Sequence, residues 1–477
     1  MTRINIPGAG VAAMAFFLVA CATALQAEPS RSYAVVISAK TLAAPGWGAV
    51  ADTLIAKHSA TTLVFATRAD EVMPALKSLF PRYICFVAQP DEIGRELVRM
   101  AHRIARSLDD DPYSDALWGI ITGYTPADAL LIAKEKEPLI IRTGVGTTGI
   151  ALDQFDAGMW NSEGVAGHYF EKKKGMAVVE KKGATDAAQR MADALNVIQP
   201  QVFVSSGHAT EHDLQIGYNY QGGQFKCEGG RVYALDLKQA KHWILTDTPK
   251  VYVPAGNCLI GHIPSRDCMA VAFMSGAGVR QMFGYIVVTF FGRAGWGTKD
   301  WFMNSAGRFS LAEAWFINQQ TIMNELLALC PAVATADLPS FSKGDPGLFQ
   351  QELFNIAGDA AKKVDAQKLL GLMWDRDATA FYGDPAWDAR MMPRPLPYTV
   401  AVAPAPGGCR ITVHALTTGT PAMPPAVILS PRVPKPVVKE GANLGLIVAD
   451  DFVVMSGLTN MVSNTTYQVL LSSGSTP

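Results

Sequence analysis

The chain has 477 residues, of which 49% are hydrophobic and 17% charged, below the ~25% charged residues of an average soluble chain. Lys plus Arg is 41 and Asp plus Glu is 42, a formal net charge of −1, which excludes electrostatic capture of nucleic acid or of an anionic membrane surface. The 42 glycines and 29 prolines are dispersed, which excludes collagen and low-complexity disorder and leaves a large globular chain of about three domains.

Residues Ile4 to Ala27 carry no charge, follow Arg3 and end at Glu28-Pro29. A cationic start, a short apolar core and small residues before a polar break are the parts of a secretory signal. The apolar core is short for a retained membrane span of ~20 residues. Cleavage after Ala27 makes residues 1–27 the signal. Alternatively, Leu18-Val19-Ala20-Cys21 resembles a bacterial lipobox, which places the cut before Cys21. Either reading sends the protein to the periplasm, the cell envelope or the medium, and a lipid on Cys21 is the one route to a membrane. The other cysteines are Cys85, Cys227, Cys258, Cys268, Cys330 and Cys409. Without C-x-x-C pairs they support neither a zinc knuckle nor a redox motif. In an exported chain they can form disulfides, but spacing does not say which.

The predicted elements then alternate. Tyr33 to Ser38 reads as a buried strand, Gly46 to Lys57 as a helix, and Thr62 to Ala66 as a strand. Ala69 to Phe80 reads as a helix with Pro74 in its first turn. Tyr83 to Ala88 is a strand, and Asp91 to Ser107 a helix with Ile93, Leu97, Met100, Ala101 and Ile104 on one face. After a Gly-rich, irregular stretch at Gly144 to Gly167 come a helix at Thr185 to Val197 and strands at Gln201 to Ser205 and Lys250 to Pro254. A helix at Cys268 to Ser275, a strand at Gln281 to Phe290 and a long helix at Leu311 to Leu329 follow. Met282 to Phe291 reads as core. The alternation predicts an α/β fold, a parallel sheet covered by helices. Between Pro393 and Pro436 lie 11 of the 29 prolines. Apolar runs at Tyr398 to Ala403, Arg410 to Ala415 and Leu444 to Val454 read as strands, and Ser472 to Pro477 as disordered. The expected units are an N-terminal α/β subdomain at 31–150, a second subdomain at 151–391 and a small β-rich module at 392–477.

Two loops stand out, because each follows an apolar strand and carries a reactive side chain after a glycine. They are Ser205-Ser206-Gly207-His208 and Ala255-Gly256-Asn257-Cys258. Ligands gather at the carboxyl ends of parallel strands. A Cys and a His at neighbouring ends form a nucleophile–base pair, the imidazole promoting the reactive thiolate. Taken singly, such a Cys is more often a buried thiol and such a His a structural imidazole. The shared strand–glycine context favours chemistry.

The segments Ser206-Gly207-His208-Ala209-Thr210-Glu211 and Gly256-Asn257-Cys258-Leu259-Ile260 resemble the catalytic His and Cys loops of gingipain-type cysteine peptidases, in the caspase and legumain clan. The acidic stretch Asp109 to Asp115 before Trp118-Gly119-Ile120-Ile121, the Gly295-Trp296-Gly297 segment and Tyr382-Gly383-Asp384-Pro385 are similar to family segments in the same order. The resemblance covers roughly Tyr83 to Trp387. It implies a caspase-like sheet sandwiched by helices and peptide-bond hydrolysis of a protein or peptide substrate. Cys258 would be the nucleophile and His208 the base. Backbone N–H groups at Cys258 and Ala209 would hold the oxyanion. Glu211, Asn257 and Trp296 are candidates for the cleft and substrate contacts, with Trp296 and the Thr289 to Gly297 loop walling the pocket for the residue before the scissile bond. No organic cofactor or catalytic metal is implied, and the sequence sets no oligomeric state.

Other readings use the same residues. A peptidase-like envelope protein that binds a partner without catalysis is the non-enzyme alternative. His208-Ala-Thr-Glu211-His212 also fits the H-x-x-E-H zinc pattern, which needs both imidazoles on one helix face. A strand and a turn precede His208, against that placement. His262 is a second possible base, or else a wall or surface residue. Asp109, Asp110, Asp111 and Asp115 offer oxygens for a structural calcium ion, though a solvated acidic loop is the commoner meaning of such a run. Gly144 to Gly149 lacks the strand–glycine–helix setting of a nucleotide site.

Overall fold

The computed structural model describes residues 32–217 and 220–474. The signal segment and Cys21 lie outside the described residues. Among those described, no helix is long and apolar enough to cross a membrane.

The centre is a twelve-stranded mixed sheet. Its strands, in chain order, are β1 (Tyr33–Ser38), β2 (Thr61–Phe65), β3 (Tyr83–Val87), β4 (Leu117–Ile121), β5 (Thr143–Gly146), β6 (Ala157–Asn161), β7 (His168–Lys172), β8 (Val179–Lys182), β9 (Val202–Ser205), β10 (Lys250–Pro254), β11 (Val279–Tyr285) and β12 (Thr379–Tyr382). Their spatial order is β2-β1-β3-β4-β12-β11-β10-β9-β5-β6-β7-β8. From β2 to β12 all neighbours are parallel. From β11 to β6 they are parallel again. The β11–β12 pair between these blocks is antiparallel, so the two parallel blocks run in opposite senses. The α/β class expected from alternation is the one observed.

Most of the long helices follow the patterns that predict them, while the one at Arg293–Asn304 begins where the sequence reads as a loop. Trp47–His58 (α1), Arg95–Ala105 (α2), Ala188–Ile198 (α3), Met269–Gly276 (α4), Arg293–Asn304 (α5) and Leu311–Leu329 (α6) each bury an apolar set. Ser310 caps α6, accepting from the Glu313 N–H while the Glu313 carboxylate accepts from the Ser310 N–H, a capping box that fixes where the helix starts. The helix expected over Asp91 to Ser107 starts later. A 3-10 turn at Pro90–Glu92 comes first, and Gly94, in extended conformation, opens α2.

Three expectations fail for physical reasons. The Gly144 to Gly167 stretch holds two strands of the large sheet, β5 and β6. A Cβ on Gly158 would lie 2.3 Å from the Gly144 carbonyl oxygen, so these glycines permit close strand contact rather than breaking the sheet. The strand expected to reach Phe290 ends at Tyr285, and Phe290 and Phe291 are exposed rather than core. Ser472 and Ser473, expected to be disordered, close the strand Thr466–Ser473.

Beyond residue 392 lie a four-stranded antiparallel sheet and a three-stranded one. They share a core of their own that includes Ile411, Val413, Val453, Met455 and Val469. Phe452 packs into the main core, its ring 5.3 Å from Tyr113 and 6.1 Å from Phe316. Cys85, Cys227, Cys258, Cys268, Cys330 and Cys409 are all free thiols.

Candidate active site

Strands β9 and β10 are hydrogen-bonded neighbours, with Val202 opposite Val251 and Ser205 opposite Pro254. Both strands are fully buried, so both chains emerge at the same edge, where Gly207-His208 and Gly256-Asn257-Cys258 form adjacent turns. His208 and Cys258 line one open cleft of about 600 Å³, together with Glu163, Gln215, Thr289, Phe290, Phe291 and Trp296.

Local backbone geometry sets each turn. Gly207 has φ +106, and a Cβ there would lie 2.4 Å from Gln215 Nε2, so the turn requires glycine. A Cβ on Gly256 would lie 3.0 Å from Trp296 Nε1. Leu259, directly after Cys258, is left-handed at φ +58, a conformation costing a branched residue ~1–3 kcal/mol. The turn is held by N–H bonds from Leu259 to the Val287 carbonyl (3.2 Å) and from Gly261 to the Tyr285 carbonyl (2.9 Å).

Cys258 is half-buried, and its Sγ accepts the Thr289 N–H at 3.2 Å. Burial pushes four other thiols up, Cys227 to about 11 and Cys268 to about 12, with Cys85 and Cys409 also raised. His208 is exposed, and its ring bonds to no described residue. Ala209 faces Leu214 across a short antiparallel bridge, whose hydrogen bonds come from Gln215 N–H to His208 O and from Thr210 N–H to Asp213 O. The Ala209 N–H therefore lacks a partner among the described residues, as does the Cys258 N–H. The Ala209 methyl is buried in the main core.

Two expected cleft residues lie elsewhere. The Asn257 side chain is fully buried. Its Nδ2 donates to the Gly207 carbonyl at 2.9 Å, and its Oδ1 accepts from Ser205 Oγ at 2.6 Å, so it ties the two loops from beneath. Glu211 does not line the cleft but bonds His262 Nδ1 at 2.8 Å. Burial raises the Glu211 carboxyl, but bonding to His262, its own N–H and the charges of His262 and Arg95 outweigh this and hold it below its ordinary range. Burial lowers the His262 imidazole, and the Arg95 charge lowers it further. Arg95 Nη2 lies 3.3 Å from the same Nδ1. Because Nδ1 donates to Glu211, that approach is donor against donor. His262 thus joins the two loops on a second side and is no alternative base in the cleft. Trp296, in the first turn of α5, lines the cleft as expected.

The zinc pattern fails on geometry. His208 to His212 are not helical, and the Glu211 carboxylate is engaged by His262. The acidic stretch does converge. One ligand atom each from Asp109, Asp111 and Asp115 lies within 4.8 Å of the others, while Asp110 stands apart. Burial first, then the neighbouring carboxylates Asp109, Asp451, Asp111 and Asp450, push Asp115 up to about 9. Burial and Asp109 push Asp111 up to about 6. An all-oxygen set of this kind suits a hard divalent cation.

Sequence reasoning missed Glu163, hidden in the Gly-rich stretch, and Gln215 in a three-residue strand, whereas the Thr289 to Gly297 loop, read from the resemblance as a pocket wall, supplies Thr289, Phe290, Phe291, Gly292 and Trp296 to the lining.

No family model matches the chain, and no curated protein matches it. A solved structure to which it is similar is that of the Arg-specific cysteine proteinase gingipain R. The similarity has a TM-score of 0.41 and 12% sequence identity, covering 93% of this chain and 98% of that one.

Proposed function

We propose that the protein is an exported cysteine endopeptidase acting through Cys258 and His208. The observation that carries the reading is the pair of adjacent strand ends, which aim a half-buried cysteine and an exposed histidine into one cleft. The Cys258 thiolate attacks the scissile carbonyl carbon. His208 holds the thiol proton and gives it to the leaving amine, leaving a thioester on Cys258. Water, deprotonated by His208, then hydrolyses the thioester. The Cys258 and Ala209 N–H groups, without partners among the described residues, are the donors for the oxyanion. With the Ala209 methyl in the core, it does not crowd that position.

Glu163 is the carboxylate of the cleft lining, its Oε1 held by Thr148 Oγ1 at 2.9 Å. Beside aromatic walls at Phe290, Phe291 and Trp296, it favours substrates with a basic side chain near the scissile bond. Asp109, Asp111 and Asp115 would hold a structural calcium ion, away from the reaction.

A second reading, a non-catalytic binding protein using the same cleft, draws on one observation: no described side chain orients His208. The test is labelling of the folded, reduced protein with a peptidyl electrophile, alongside Cys258→Ala and His208→Ala. Rapid labelling confined to Cys258 and slowed in His208→Ala supports the peptidase. Absence of preferential labelling at Cys258 supports the binding protein.

A further inference from the structure

We propose that the Gln215 side-chain carboxamide binds the main chain of the substrate peptide, an inference that rests on the peptidase reading. Gln215 is 3% exposed yet lines the cleft. Its Oε1 is buried and unpartnered, and its Nε2 bonds to no described residue. Burying a polar group without a partner is unfavourable, so such a group beside a reactive pair points to a ligand that completes it.

The surroundings specify the ligand's chemistry. Gln215 is paired directly with the candidate base, its N–H donating to the His208 carbonyl at 3.0 Å. The Gly207 carbonyl is already taken by Asn257 Nδ2. These two His-loop carbonyls therefore each already accept one internal bond. The free amide at this position is the Gln215 side chain, with one acceptor and one donor face. That is the complement of a peptide unit, which offers one N–H and one C=O. Glu163 offers acceptors alone and suits a side chain, whereas Gln215 suits a backbone amide. This contact orients the peptide so that its carbonyl meets Cys258, and it takes no part in proton transfer.

The test uses the mature protein and its Gln215→Leu and Gln215→Glu variants with two thiol reagents. Iodoacetamide reads the Cys258–His208 pair without peptide binding, and a tripeptidyl chloromethyl ketone reads both. Iodoacetamide rates at Cys258 are expected to agree within about twofold across the three proteins, while Gln215→Leu slows the peptidyl reagent about tenfold. Gln215→Glu, which keeps acceptors and loses the donor, falls between. Replacing one N–H of the peptidyl reagent by N-methyl slows the wild type about as much and leaves Gln215→Leu unchanged. Equal peptidyl rates in wild type and Gln215→Leu, or N-methyl effects of equal size in both, overturn the inference. Parallel loss of both reagents' rates also overturns it, because Gln215 then only supports the His208 loop. A folded wild type whose Cys258 reacts preferentially with neither reagent overturns the peptidase reading instead, and this inference falls with it.

Discussion

Asn257 Nδ2 donates to the Gly207 carbonyl at 2.9 Å across the gap between the two site loops. The same carboxamide accepts from Ser205 Oγ, which is also 2.8 Å from the Tyr252 hydroxyl. The residue before Cys258 thus fixes the loop that carries His208, and does so from a fully buried position.

Asn257→Ala leaves Ser205 Oγ and the Gly207 carbonyl without this partner. The expected cost is about 1–3 kcal/mol of stability, with a larger proportional fall in turnover, about 10²-fold, from misplacing His208 relative to Cys258. Denaturant melts beside kcat/KM on a peptide substrate check this. A stability loss with turnover intact would mean that the clasp does not set the dyad.

Thiol labelling is expected to be selective. Burial raises Cys85, Cys227, Cys268 and Cys409, whereas Cys258 opens on the cleft. Mass spectrometry after brief alkylation at pH 7 should find Cys258 modified first. Chelator should leave both labelling and turnover unchanged, because the H-x-x-E-H segment holds no metal geometry.

Glu163→Gln is expected to lower kcat/KM for substrates with Arg or Lys next to the scissile bond by about 10- to 100-fold, while changing neutral substrates little. A profiled peptide library reads the difference. A uniform fall across all residues would place Glu163 in the fold rather than in recognition.

Asp384 connects the acid stability of the fold to the Gly-Asp-Pro segment. It is buried and accepts from Tyr33 Oη (2.9 Å) and Lys57 Nζ (2.8 Å), and it pairs with His58 Nε2 (2.7 Å). Burial raises its carboxyl, but the His58 bond and the Lys57 and His58 charges win and hold it far below the carboxylate range. A depressed folded pKa gives stability that is complete above the unfolded value of ~3.9 and is lost as pH falls towards the folded one. Asp384→Asn should therefore cost about 3–5 kcal/mol near pH 6, from cations left uncompensated, and progressively less below pH ~3.9. Melts across pH test the sign; a cost that grows in acid would refute it.

If Asp109, Asp111 and Asp115 hold calcium as proposed, millimolar calcium is expected to raise the melting temperature. Asp111→Asn should abolish that rise, while Asp110→Asn preserves it. Scanning calorimetry with and without calcium decides between them.

Sequence legibility followed local physics. The apolar runs ending in Gly207 and Gly256 were readable because a buried strand and a tight turn each leave a pattern. Their adjacency needed the parallel sheet, which the alternation of elements supplied. β5 and β6 were hidden because Gly144 and Gly158 look like breakers and serve close strand approach. Gln215 left no signal, since a polar residue in a three-residue strand normally faces solvent. Asn257 and Glu211 were visible as polar loop residues. Whether such a side chain turns to the cleft or beneath it depends on partners 50 and 51 residues away, Gly207 and His262. Phe290 and Phe291 misled because an apolar run reads as core whether it fills an interior or walls a cleft.

The antiparallel β11–β12 seam has a consequence for synthesis. Among the described residues, β12 alone bridges the β2-to-β4 block and the β11-to-β6 block in the large sheet, and it ends at Tyr382. Each block can pair its own strands as it is made, but the two cannot be joined until the chain has grown past that residue. Contacts this distant in sequence slow folding. Until they form, β4 and β11 remain open edges, the state in which strand edges are prone to pair with other chains.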